Sequence, residues 1–144
     1  MVELVPATKN SIREDYELFQ VGMASLIKKA RAKFVPADIY HQLMQGRVHL
    51  YWVENGGDRL GFAVVSQHDA GYEEIPTLMV DHVWLRQGAT VFTEAVAAIR
   101  ELANEIGVER IEFNSSRLGW AKRAKEIGCT PVFVTYQCQV NNNV

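Results

Sequence analysis

The chain has 144 residues, 48% apolar and 22% charged, enough for one buried core and ordinary for a globular domain. A formal net charge of −2 argues against a general nucleic-acid or anionic-membrane binder, because such proteins carry a basic excess. No apolar run approaches the ~20 residues of a membrane span, and Met1-Val2-Glu3 opens no basic-then-apolar leader, so a cytoplasmic protein without nucleic-acid or membrane partners is expected.

In chain order, residues 2–7 read as a short opening strand stopped by Pro6. Thr8-Lys9-Asn10-Ser11 offers helix caps, and Ser11-Ile12-Arg13-Glu14 matches a capping box. Tyr16, Leu18, Phe19, Val21, Gly22, Met23, Leu26 and Ile27 then follow at helical spacing, predicting one helix that ends near Arg31. Pro36-Ala37-Asp38 starts a shorter helix closed by Gly46. Residues 48–53 form a strand, Asn55-Gly56-Gly57-Asp58 is a hairpin signal, and residues 60–65 return antiparallel. A loop over residues 69–74 leads to a strand over 77–85.

Val91, Ala95, Val96, Ile99, Leu102, Ala103 and Ile106 trace one face of a helix over residues 90–106, stopped by Gly107. Residues 110–113 alternate as a strand, 118–127 form a short helix ended by Gly128, and 131–140 form a last strand before a polar tail. No repeat or linker interrupts residues 1–144, so a single domain is expected. Cys129 and Cys138 flank that last strand nine positions apart, an odd separation that puts them on opposite faces. Two free thiols in a reducing compartment follow. Two basic groups, Lys28, Lys29, Arg31 and Lys33, then Arg117, Lys122, Arg123 and Lys125, read as solvated helix faces.

The order strand, two helices, three antiparallel strands, long helix, strand, helix, strand resembles the GCN5-related N-acetyltransferase (GNAT) superfamily over nearly the whole chain. Ala124-Lys125-Glu126-Ile127-Gly128-Cys129-Thr130-Pro131-Val132 looks like the family's helix-glycine-strand ending. The resemblance implies an α+β fold, an α/β/α sandwich with a mixed, mostly antiparallel sheet flanked by helices. It also implies acetyl-CoA as acyl donor, a small-molecule or peptide amine as acceptor, and transfer by direct attack. Homo-oligomerisation is left open.

In the family, pyrophosphate sits on a turn written [Q/R]-x-x-G-x-[G/A], where unpaired N–H groups at a helix N-terminus face the anion. Here Gln87, Gly88, Ala89, Thr90, Val91 and Phe92 occupy that turn. One register puts Gln87 first and Thr90 and Phe92 at the small positions; the other puts Arg86 first and Ala89 and Val91 there. Neither register restores the glycines, and Phe92 must fill the cradle or turn into the core beside Val96. The resemblance further implies pantetheine pairing with the backbone of Val83, Trp84 and Leu85, a contact from Asn114 in Asn114-Ser115-Ser116, and a base from Asp81 or His82. Those two fall on opposite faces of a regular strand, so at most one of them faces the cleft. The tyrosine that many members place in the last helix is replaced by Ala124.

Other chemistries lack their residues. His41, His49, His68 and His82 have no metal-type spacing, and no Cys-x-x-Cys, Gly-x-Ser-x-Gly or Walker-type loop appears. Two readings stand: an acyl-CoA-dependent N-acyltransferase, or a GNAT-fold protein of phage type that has lost catalysis and serves in binding or structure.

Overall fold

Alternating β-branched and aromatic residues build one five-stranded sheet in a computed structural model that describes residues 1–30, 33–70, 75–86, 90–115 and 119–140. Its strands are β1 (Val2–Pro6), β2 (His49–Asn55), β3 (Asp58–Ala70), β4 (Ile75–Leu85) and β5 (Arg110–Phe113), in spatial order β1-β2-β3-β4-β5. Three antiparallel pairings are followed by one parallel pairing, between β4 and β5. That parallel step needs a crossover, which α4 (Phe92–Ile106) supplies.

The helices α1 (Lys9–Glu14), α2 (Tyr16–Lys29) and α3 (Pro36–Met44) cover one face of the sheet. There Ile12, Phe19, Met23, Leu26, Ile39 and Leu43 bury Leu50, Trp52, Phe62, Val64 and Trp84. On the other face, Ile99 and Ala103 of α4 pack on Ala63, Val65, Leu78 and Val80. The result is a mixed, mostly antiparallel sheet between two helical layers, as the element order implies. α5 (Trp120–Glu126) follows β5.

β3 and β4 meet at backbone contact. A Cβ on Gly61 would overlap the Trp84 carbonyl oxygen and stand 2.9 Å from the Leu85 Cα, so only glycine lets the strands close there.

Three expectations change. The first long helix is two helices, because the capping box lies earlier than expected. Thr8 is the N-cap, its Oγ1 accepting the Ser11 N–H (3.0 Å) while Ser11 Oγ accepts the Thr8 N–H (2.9 Å). The break falls at Asp15, whose carboxylate pairs with Arg59 at 3.0 Å. Secondly, β3 runs to Ala70, into the expected loop. The third change is the closing strand, which does not form: residues 131–140 have no strand partner among the described residues and lie exposed. The turn before them is tied back, with Cys129 N–H on Ala124 O (2.8 Å) and the Arg100 guanidinium on Ile127 O. Gly128, at φ +79°, takes the left-handed conformation that ends the helix. Cys129 and Cys138 are free thiols. The expected helix end at Arg31, loop residues 71–74, Arg117, Leu118 and the tail over 141–144 lie outside the described residues.

Candidate functional site

β4 pairs with β5 only over residues 77–80, and Asn114 N–H on Val80 O (3.2 Å) is the last link between them. Beyond it the two strands part, and β4 continues to Leu85 with a partner, β3, on one side only among the described residues. Backbone groups alternate in direction along a strand. Arg86 donates its N–H to Leu60 O at 2.7 Å, so the N–H and C=O groups of Val83 and Leu85 face away from β3, toward the gap.

The gap starts at a defect in the ladder. Val64 pairs with His82 and Val65 with Val80, so Asp81 is an extra residue without a counterpart on β3. Such a bulge re-aims the side chains around it. The expected alternation set Leu78, Val80, His82 and Trp84 against Met79, Asp81, Val83 and Leu85. In the structure Leu78 and Val80 pack on the α4 side together with Val83, whereas Trp84 packs under α2 with Phe62. The phase reverses at Asp81. The expectation that at most one of Asp81 and His82 faces the cleft is corrected accordingly: both line the same cavity of about 260 Å³.

Leu26, Ala30, Lys33 and Phe34 form one wall of that cavity, Val80 to Val83 its floor, and Phe113, Asn114, Ser115 and Trp120 the other wall. The Phe34 ring lies 4.6 Å from the His82 imidazole, centroid to centroid. Burial pushes His82 below its ordinary pKa of 6.5, with the Asp81 charge pulling the other way. The imidazole is therefore neutral at physiological pH and has a lone pair to accept a proton. The Asp81 carboxylate accepts a hydrogen bond from Ser66 Oγ at 3.2 Å. Lys33 spends its ammonium on the end of α2, donating to Ile27 O and Ala30 O at 2.7 Å each.

At the start of α4, Val91 is the N-cap and provides no side-chain bond to the helix. The first-turn N–H groups are thus without a side-chain cap. Thr90, Phe92, Thr93 and Arg123 line a hollow of about 290 Å³ at this end. The Phe92 ring is half-buried. It meets Trp120 edge-on at 5.8 Å, and the Arg123 guanidinium lies over it at 4.7 Å. Contacts with α5 decide its direction. Gln87, Gly88, Ala89 and Ser116 lie outside the described residues.

Of the sequence candidates, the structure brings together Asp81, His82, Val83 and Asn114, and sets Thr90 and Phe92 at the neighbouring helix end. The Trp84 side chain is in the core, leaving only its backbone near the strand edge. Arg123 was missed as a site residue; its one available signal, a basic residue on a short helix, is too common to select it. Among the described residues no group of three or more His, Cys, Asp and Glu could hold a metal, and no helix is long and apolar enough to cross a membrane.

No family model matches the chain, and no curated protein matches it. Solved structures do. The ribosomal-protein-alanine N-acetyltransferase of Brucella melitensis biovar Abortus 2308 matches with a TM-score of 0.71 at 15% identity, over 96% of this chain and 98% of its own. A putative acetyl transferase from Pyrococcus furiosus gives 0.69 at 12% identity, over 97% and 100%. The aminoglycoside N-acetyltransferase AAC(6')-Iy in complex with CoA gives 0.66 at 13% identity, over 99% and 96%. The chain has the fold of the GCN5-related N-acetyltransferases.

Proposed function

We propose that the protein is an acyl-CoA-dependent N-acyltransferase that moves an acetyl group from acetyl-CoA to an amine by direct attack. One observation carries this reading: the bulge at Asp81 puts a neutral imidazole beside a length of strand whose Val83 and Leu85 amides have no partner among the described residues. The substrate's pantetheine arm is itself an extended amide chain, and two unpaired amides on a strand edge suit it as an added strand would. Its pyrophosphate suits the uncapped N-terminus of α4, with Arg123 alongside. Phe92 lines that hollow and leans onto Trp120.

The donor supplies a thioester carbonyl and a thiolate leaving group. His82 takes a proton from the acceptor's ammonium, the amine so freed attacks the thioester carbonyl and expels the thiolate, and the Asp81 carboxylate beside His82 stabilises the resulting imidazolium. Trp120 and Phe34 narrow the mouth and limit water around the amine. No tyrosine stands on the described part of α5, where Ala124 fills the expected place. Water then protonates the thiolate, which slows release without preventing it. That same Ala124 favours the alternative, a GNAT-fold binding protein without catalysis.

Calorimetry with acetyl-CoA separates the two. The wild-type chain is expected to bind it, and Val83→Pro to weaken binding about fivefold by removing one outward-facing N–H, worth roughly 1 kcal/mol. The β3–β4 ladder does not use that N–H, so the urea midpoint should stay close to wild type. Absence of measurable affinity in a folded wild-type chain would remove the enzyme reading.

A further inference from the structure

The cavity around Asp81 and His82 restricts which amine can enter it, first by size. At about 260 Å³ it is smaller than the roughly 300–1,000 Å³ of pockets that take drug-sized ligands. The acetyl end of the donor needs part of that space. What is left suits a reactive nitrogen and a body about as large as one ring.

Charge restricts it further. Among the described residues Asp81 is the one acidic residue that lines the cavity, and its carboxylate already accepts from Ser66. Lys33, on the wall next to Phe34, donates to the Ile27 and Ala30 carbonyls and has no carboxylate partner among the described residues. The segments that supply the two walls, residues 27–36 and 114–125, contain four Lys or Arg each and no Asp or Glu. A substrate with several ammonium groups would therefore find one counter-ion and like charge on both sides, an arrangement that rejects it. A substrate with a single ammonium meets its counter-ion and keeps the rest of its surface apolar.

The walls also present a surface for that apolar part. Phe34 stands on one wall and Trp120 on the other, both half-buried with part of each ring open. Aromatic side chains favour a flat partner, which they meet edge-on or offset-stacked. We propose that the acceptor is a compact primary amine with one positive charge and a flat apolar body, its ammonium at Asp81 and His82 and its body between Phe34 and Trp120. This rests on the acyltransferase reading and narrows it. In the transfer the amine nitrogen bonds the acetyl carbon as the C–S bond breaks. One ammonium proton goes to His82 and a second, through water, to the thiolate, so the products are an N-acetylated amine and CoA. The amide product is neutral and loses the attraction of Asp81, which favours its departure.

Steady-state transfer from acetyl-CoA to 2-phenylethylamine, n-butylamine and spermidine tests the proposal, beside calorimetry with acetyl-CoA alone. The expected kcat/KM falls in that order, with spermidine at least about tenfold below 2-phenylethylamine, the size of a discrimination near 1.4 kcal/mol. Phe34→Leu keeps the wall apolar and removes the ring. It should raise KM for 2-phenylethylamine about two- to tenfold, the worth of one aromatic pair, and leave that for n-butylamine nearly unchanged. A higher kcat/KM with spermidine, or with a lysine-containing peptide, overturns the proposal and leaves the acyltransferase reading standing. Equal losses for both monoamines in Phe34→Leu overturn it too, because the ring would then only hold the wall in place. A folded wild type without affinity for acetyl-CoA removes the acyltransferase reading and the proposal together.

Discussion

From Thr77 to Val80, β4 has a strand on each side; from Asp81 to Leu85 it has one on one side only among the described residues. In the first half Thr77, Leu78 and Val80 are buried, while in the second Asp81, His82 and Val83 are half-buried around a cavity. Both halves carry the same β-type composition. What distinguishes them is the withdrawal of β5 after Phe113 and one inserted residue, Asp81. The open half gets its capacity for chemistry from groups that the closed half spends on holding the sheet together.

The largest test of this contrast lies in the open half. His82→Gln keeps a polar side chain of similar reach but removes the proton acceptor. Turnover with a suitable amine should fall about 10²–10⁴-fold, the usual contribution of a positioned general base. Calorimetric affinity for acetyl-CoA should stay within a few-fold of wild type. Equal turnover in the variant would strip His82 of its role.

Next in size is a loss of stability confined to the closed half. Leu78→Ala should cost about 2–5 kcal/mol in urea unfolding, the range for deleting a buried leucine side chain. The folded fraction should keep its KM for the acyl donor. A stability loss below 1 kcal/mol would mean that this half is not the structural one.

The smallest expected effect is a pH dependence. The native His82 titrates below 6.5 and the unfolded one near 6.5, so the unfolded state takes up its proton first as pH falls. Its stabilising contribution is therefore full above about 6.5 and is lost as pH falls through the native value. Unfolding midpoints measured from neutral to mildly acidic pH should decline, and His82→Gln should flatten that decline. An identical slope in the variant would assign it to other groups.

Much of the fold was legible in the chain itself. The 3.6 period of Val96, Ile99 and Ala103 announces α4, and Pro36 with Gly46 brackets α3, because these signals are local. The bulge at Asp81 was not legible, since strand alternation is a two-residue rule and only the partner strand shows that β4 holds one residue more. Asp81 and His82 were identified as candidates, but their shared cavity depends on that bulge. The direction of Phe92 was likewise hidden, being set by Trp120 and Arg123 on another helix. For residues 131–140 the strand composition was readable and the absence of a partner was not, because composition says that a segment can pair and not with what.

Gly61 has a consequence for how this chain can vary. Most positions of the sheet need only remain apolar on one side, so drift can rewrite them and leave the fold standing, which suits a chain that keeps its architecture at 12–15% identity to its structural neighbours. Position 61 has an alphabet of one letter, because any side chain there would push the Trp84 carbonyl away and part β3 from β4. The strand displaced would be the one that forms the floor of the cleft. The inheritance of the site therefore hangs on a residue that has no side chain and touches nothing in the cavity.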